Sequence, residues 1–179
     1  MKIYLASALT HVPENEFLNY TSMLHRFASV LSDQGQNQVL YALMNSDPQL
    51  AKKPPRDKPR LCYLWDREMV EDADVVVAEA SFPSIGLGIE LQIAEMNNIP
   101  VILCFEQSES KRSHQKFYEN PDNQQHQLQI GDGYISLMAL GLPNLFSLVP
   151  YSDERECFLE TRRLLGMLNG PVGSVSRQA

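Results

Sequence analysis

The segment 79–91 reads EASFPSIGLGIEL and places Glu90 six residues after Ser84, with two glycines between them. Glycines let the backbone approach a ligand closely, and the first free N–H groups of a helix bind anions. The segment is therefore a candidate anion site that the serine hydroxyl extends. We predict a turn over 81–88 and a helix from there to about residue 97, so that Glu90 falls in the first helical turn. There the helix dipole favours the ionised carboxylate, and an ionised, positioned glutamate is a candidate nucleophile.

Two other interpretations of this segment bear on its chemistry. A glutamate in a first helical turn is commonly a solvated partner of the helix dipole, and the residues alone leave that alternative open. The glycine spacing is not a dinucleotide-binding fingerprint, because no third glycine follows Gly88 at the required place.

A second carboxylate, Asp66, lies in the helical pattern that leads into the apolar run 74–79. Two carboxylates near one sugar are the minimum set for a retaining glycoside reaction. One attacks the anomeric carbon, and the other handles protons or holds a hydroxyl. The alternative is that Asp66 contributes only to the polar surface of its helix, beside Arg67 and Glu68.

Short β-rich apolar runs alternate with longer amphipathic segments along the chain. We predict strands at 2–6, 38–43, 74–79, 100–105 and 147–149, and helices over 16–33, 61–72, 88–97 and 153–168. The Pro-rich basic stretch 47–60 and the polar stretch 106–129 are predicted to be loops. This βαβ rhythm predicts an α/β fold with a five-stranded parallel sheet and helices on both faces. Ligands in such sheets bind at the carboxyl ends of the strands.

Composition and charge exclude several classes of protein. The 44% of hydrophobic residues is enough for a core, which excludes disorder of the whole chain, and we predict a single domain over 1–170 with a flexible tail at 171–179. Lys and Arg number 15 against 22 Asp and Glu, and the resulting net charge of −7 argues against a nucleic acid polymer as partner.

The cysteines and the apolar runs indicate a cytoplasmic protein without a membrane span. The three cysteines form no CxxC, so a disulfide framework and a zinc site have little support, and the four histidines show no metal spacing. No run approaches the ~20 apolar residues of a transmembrane helix.

These motifs closely resemble the nucleoside 2-deoxyribosyltransferase superfamily, in particular its 2-deoxynucleoside 5-monophosphate N-hydrolase branch. The resemblance rests on Asp66, on the run 73–79 and above all on Pro83-Ser84-x-Gly86-x-Gly88-x-Glu90-Leu91. The first strand and the segments 135–138 and 151–154 also resemble the family, so that only the two polar stretches fall outside the similarity.

The resemblance implies a Rossmann-like sheet of flavodoxin-like order. It also implies an N-glycosidase that releases a free base and a sugar phosphate from a nucleoside 5-monophosphate. Glu90 would form a covalent glycosyl-enzyme, Asp66 would bind the sugar and assist proton transfer to the departing base, and Tyr4 would orient Glu90. No metal or organic cofactor is required.

The resemblance also implies a phosphate site and a homodimer. The phosphate would be held by Ser84 and by the amides around Gly86 and Gly88, while Ser136 would reach it from the neighbouring subunit. The chain departs from the family after the first strand, where Ser7-Ala8-Leu9-Thr10 replaces the usual Gly-Ser and nearby Arg. Ser7, Thr10 or a cation of 47–60 is then expected to take over phosphate binding.

A further departure lies in the helix that carries Glu90, where Gln92 replaces a common glycine. Two alternatives to the hydrolase stay open. One is a transferase that passes the deoxyribosyl group to another base, and the other is a nucleotide-binding module without activity.

Overall fold

A computed structural model describes residues 1–169 of the chain. Five strands form one sheet, namely β1 (Lys2–Ser7), β2 (Gln38–Leu40), β3 (Val75–Glu79), β4 (Val101–Glu106) and β7 (Leu145–Tyr151). Their order in the sheet is β2-β1-β3-β4-β7, and every pairing is parallel. This is the flavodoxin-like order, and the predicted fold class is confirmed. The tail predicted at 171–179 lies outside the described residues.

Helices cover both faces of the sheet. They are α1 (Glu14–Ser32), α2 (Ser46–Leu50), α3 (Lys58–Glu71), α4 (Ile85–Met96), α5 (Leu137–Leu140) and α6 (Glu154–Asn169). Side chains of α1 and α6 form the core on one face, and side chains of α3 and α4 form it on the other. In residues 1–169 no helix combines the length and apolar character needed to cross a bilayer.

The packing of the central strand β3 on both faces explains why its sequence is almost uninterruptedly apolar. Val75 and Val77 pack toward α1 and α6, while Val76 and Ala78 pack toward α3 and α4. A strand covered on both faces needs apolar side chains at every position rather than at every second one. Its carboxyl end, at Glu79, opens into the segment that carries the candidate chemistry.

The turn predicted over 81–88 is too long. The hydroxyl of Ser84 accepts a hydrogen bond from the backbone N–H of Leu87 at 3.2 Å and caps α4, which therefore begins at Ile85. The placement of Glu90 in the first helical turn is wrong for the same reason. It is the sixth residue of α4 and lies in the second turn.

The two polar stretches contain more regular structure than predicted. The stretch 47–60 holds most of α2, a 3-10 turn at Pro55–Asp57 and the start of α3, where a proline in the first turn costs no intrahelical hydrogen bond. The stretch 106–129 holds a 3-10 turn at Glu109–Lys111 and a hairpin of β5 (Phe117–Glu119) and β6 (Gln125–Gln127). The prediction that both stretches are loops is therefore wrong for these segments.

Candidate active site

Strand β1 and helix α4 bring the first pair of candidate catalytic residues together. The buried hydroxyl of Tyr4 donates a hydrogen bond to Oε1 of Glu90 at 2.7 Å, across 86 residues of sequence. Tyr4 is 1% exposed, so its ring is fixed by the core between β1 and the helices above it. One carboxylate oxygen of Glu90 is thus held in place, and the other is left for a ligand.

Helix α3 supplies the second carboxylate, Asp66, and holds it with a cysteine. The thiol of Cys62 donates to Oδ2 of Asp66 at 3.2 Å from one helical turn earlier. Burial, with the hydrogen bond to Asp66 adding to it, raises the pKa of Cys62 to about 12, so the thiol stays protonated and remains a donor at neutral pH. Asp66, like Glu90, therefore has one oxygen bound by the protein.

Unpartnered buried oxygens mark both carboxylates. Within residues 1–169, three buried side-chain oxygens accept no hydrogen bond, namely Oδ1 of Asp66, Oε2 of Glu90 and Oδ1 of Asn144. A buried oxygen without a partner costs free energy, and such groups in folded proteins point to a ligand or to chemistry. Two of the three belong to the predicted catalytic pair.

The charge state of Glu90 in the unliganded site differs from the ionised form predicted from sequence. Burial, with a smaller contribution from the nearby charge of Asp66, raises its pKa to about 8, and the hydrogen bond from Tyr4 limits this shift. Glu90 is therefore largely protonated in the unliganded site at neutral pH. A group tuned to titrate close to the working pH is typical of an active site rather than of a solvated helix face.

This arrangement predicts the effect of Tyr4→Phe on the pH dependence of catalysis. A nucleophile must be ionised, so kcat/KM should rise with pH and level off above about 8. Because the Tyr4 hydrogen bond lowers the pKa of Glu90, its loss should move the acid limb to higher pH. Initial rates from pH 5 to pH 10 measure this shift. A limb that stays in place or moves down would show that Tyr4 does not tune Glu90.

Glu79 is a further buried carboxylate, and its bonding indicates a structural role. It is 0% exposed and accepts hydrogen bonds from Tyr20, from Ser81 and, at 2.8 Å, from Tyr151. The Ser81 hydroxyl also accepts from the backbone N–H of Glu106 at 2.8 Å. This network fixes the loop between β3 and α4 and so positions Ser84.

The predicted phosphate-binding residues of α4 lie at its exposed start. Ser84 caps the helix, and Gly86 and Gly88 follow within the first turn, both exposed. A Cβ at Gly88 would meet no heavy atom within 4 Å, and one at Gly86 would lie 3.7 Å from the Ser84 hydroxyl. The glycines are therefore not needed for a tight turn, and they leave the helix surface open to a ligand.

A groove of about 930 Å³ lies beside the start of α4. Ser84, Gly88 and Ser136 line it, so one chain brings both predicted phosphate serines to the same groove. Its lining within residues 1–169 does not include Tyr4, Asp66 or Glu90, which lie between α3 and α4, nor any residue of 47–60.

The remaining predicted residue, Ser7, ends β1 and pairs in register with Glu79 at the carboxyl edge of the sheet. The structure thus forms two regions, a carboxylate pair and a serine-lined groove. Helix α4 contributes Glu90 to the first, and its cap Ser84 and Gly88 to the second. Among residues 1–169, no cluster of three or more His, Cys, Asp or Glu side chains could hold a metal ion.

Two residues beside these regions were missed from sequence. Cys62 precedes Asp66 by four residues, and that helical spacing could have identified it. Lys111 lines the groove from the polar stretch 106–129 and pairs with Glu16, 95 residues away, so no local pattern could have identified it.

Comparison with known proteins gives a short sequence match and a fold-wide structural one. No protein-family model matches the chain. A stretch of 43 residues is 44% identical to a Syntrophotalea carbinolica protein named "Putative 2'-deoxynucleoside 5'-phosphate N-hydrolase 1", covering 24% of this chain and 30% of that protein. The chain thus matches under a third of this relative's length.

Solved structures extend the match to nearly the whole chain. The Clostridium botulinum CMP N-glycosidase BcmB superposes with a TM-score of 0.55 at 17% identity, covering 91% of this chain and 98% of that one. The 2-deoxyribosyltransferase of Bacillus psychrosaccharolyticus superposes with a TM-score of 0.54 at 19% identity, covering 88% and 90%. The chain has a nucleoside 2-deoxyribosyltransferase-like fold. The predicted resemblance to this superfamily is confirmed by the shared fold and the short sequence match.

Proposed function

We propose that the protein hydrolyses the N-glycosidic bond of a nucleoside or deoxynucleoside 5'-monophosphate. The observation that carries this proposal is the pair of unpartnered buried oxygens on Asp66 and Glu90. Two carboxylates with one free oxygen each are suited to displacement at an anomeric carbon. The names of the matched N-hydrolase and of the structurally similar CMP N-glycosidase and 2-deoxyribosyltransferase support the substrate class.

The proposed reaction has two displacements. Oε2 of ionised Glu90 attacks the anomeric carbon while the bond to the base breaks, and the base leaves with the electron pair of that bond. Asp66 assists transfer of a proton to the departing base and binds the sugar through Oδ1. Water then attacks the same carbon and loses a proton while the ester bond to Glu90 breaks, which releases the carboxylate and the sugar phosphate. The proton lost by water balances the proton taken up by the base. Tyr4 holds Oε1 of Glu90 throughout and so keeps Oε2 aimed at the sugar.

A substrate panel tests the proposed reaction. The protein is incubated with nucleosides, deoxynucleosides and their 5'-monophosphates, with and without a free acceptor base, and base release is followed by chromatography. We expect release from monophosphates without an added base. Exchange that requires an added base would assign a transferase instead of the hydrolase. Absence of release and exchange from every substrate would contradict both.

We also propose that the protein works as a homodimer. Ser136 lines the groove with Ser84 within one chain, so the predicted contribution of Ser136 from the neighbouring subunit is not needed there. Helix α4 exposes an apolar stripe of Ile85, Ile89 and Met96, which are 78%, 45% and 73% exposed, and Met138 beside Ser136 is 85% exposed. An exposed apolar stripe of this kind on a folded chain is typical of a protein interface. A second copy of the chain buries it by self-complementary packing.

Charged substitutions on this stripe test the dimer. We expect the double variant Ile89→Arg, Met96→Arg to be monomeric in light scattering, where the wild type has twice the mass of the chain. The control Leu159→Arg adds an equally exposed charge on α6, on the opposite face of the sheet, and should remain dimeric and active. A monomeric wild type with full activity would contradict the proposal.

A further inference from the structure

Lys111 is a buried lysine next to the loop that carries Ser84. Its side chain is 7% exposed, although it lies in a largely exposed polar stretch. Its ammonium group pairs with Glu16 in the first turn of α1 and lies 3.5 Å from the ring centroid of Phe82. A lysine loses hydration when buried, so its contacts must compensate for that loss.

Lys111 also gives the serine-lined groove its charge. Within residues 1–169, it is the one lining residue with a formal charge, and none of the lining residues is acidic. The chain as a whole carries a net charge of −7, and the charge of Lys111 is paired with Glu16, which does not line the groove. His11, Phe82 and Ser84 line the groove with Lys111, which places a cation, a hydroxyl and the start of α4 around one space.

We infer that Lys111 is the cation that binds the 5'-phosphate of the substrate and selects nucleotides over nucleosides. This inference rests on the proposed function and names the specificity residue of the same site. A phosphate dianion accepts charge-assisted hydrogen bonds from an ammonium group and from a hydroxyl, and Lys111 and Ser84 offer one of each. The cations of 47–60 do not line the groove, so Lys111 supplies the charge expected from that stretch.

Glu16 distinguishes a phosphate-binding lysine from a lysine that only fastens the loop to α1. If Lys111 binds phosphate, Glu16 competes for its charge and Glu16→Gln should tighten phosphate binding. If Lys111 only holds its loop against α1, Glu16→Gln and Lys111→Met break the same ion pair and should weaken phosphate binding equally. The two variants are therefore expected to have effects of opposite sign.

Calorimetric titration with inorganic phosphate and with a deoxynucleoside monophosphate provides the test. Lys111→Met should weaken both affinities roughly 10- to 100-fold, Lys111→Arg should restore most of the loss, and the exposed control Lys116→Met should bind as the wild type does. Affinity for the parent nucleoside should not change. Equal weakening by Glu16→Gln and Lys111→Met, or unchanged phosphate affinity in Lys111→Met, would overturn the inference.

Binding without turnover separates this inference from the proposed reaction. A wild type that binds the monophosphate through Lys111 but releases no base would leave the inference standing and reject the hydrolase. If the wild type releases base and Lys111→Met keeps the wild-type kcat/KM for monophosphates, the hydrolase stands and the inference about Lys111 is rejected.

Discussion

Replacing Glu90 with Gln is expected to lower the rate of base release by at least about 10³-fold, because the amide cannot form the glycosyl ester. The substitution keeps the size of the side chain and can still accept the hydrogen bond from Tyr4 at Oε1, so the site should keep its shape. Steady-state rates with a deoxynucleoside monophosphate measure the effect.

Glu95→Gln on the same helix serves as the matched control for Glu90→Gln. Glu95 accepts a hydrogen bond from the side chain of Gln92 and lies outside the carboxylate pair, so its variant should keep the wild-type rate. Turnover by Glu90→Gln at a rate within tenfold of the wild type would reject Glu90 as the nucleophile.

Asp66→Asn is expected to have the second largest effect, with two parts. The rate should fall by roughly 10²- to 10⁴-fold, which is the usual contribution of a positioned acid or base. The acid limb of kcat/KM should also move to lower pH, because the charge of Asp66 contributes to the raised pKa of Glu90. The direction of this shift is opposite to that expected for Tyr4→Phe.

The pH profile of the residual Asp66→Asn activity shows whether the two carboxylates interact. Glu68→Gln, an exposed carboxylate on α3, is the control and should leave rate and profile unchanged. A low rate with the acid limb unmoved or shifted upward would mean that Asp66 acts at a distance from Glu90 and not as its partner.

The fold was predictable because its determinants are local. The apolar run of β3 and the helical periodicity of α1 and α6 each identify an element without knowledge of its neighbours. The parallel sheet followed from the alternation of these elements, and its strand order followed from the resemblance. One error was the start of α4, because the cap at Ser84 begins the helix before the two glycines that were taken as part of a turn. The other was in the polar stretches, because a short exposed hairpin has no apolar alternation.

The candidate site was predictable in its residues but not in its electrostatics. Asp66 and Glu90 could be chosen from residue type and motif. The pKa of Glu90, in contrast, is raised by burial and lowered by a hydrogen bond from Tyr4, 86 residues away. The pairing of Lys111 with Glu16 likewise depends on where the polar stretch packs. Contacts between residues far apart in the sequence decide both features, and local sequence patterns do not report such contacts.

The stereochemistry at the anomeric carbon tests the central claim most directly. When methanol replaces water as the acceptor, the methyl glycoside cannot change its configuration after release, and nuclear magnetic resonance reports that configuration. Two displacements through a glycosyl ester of Glu90 predict the configuration of the starting nucleotide. An inverted methyl glycoside, formed in a single displacement, would contradict the proposed mechanism.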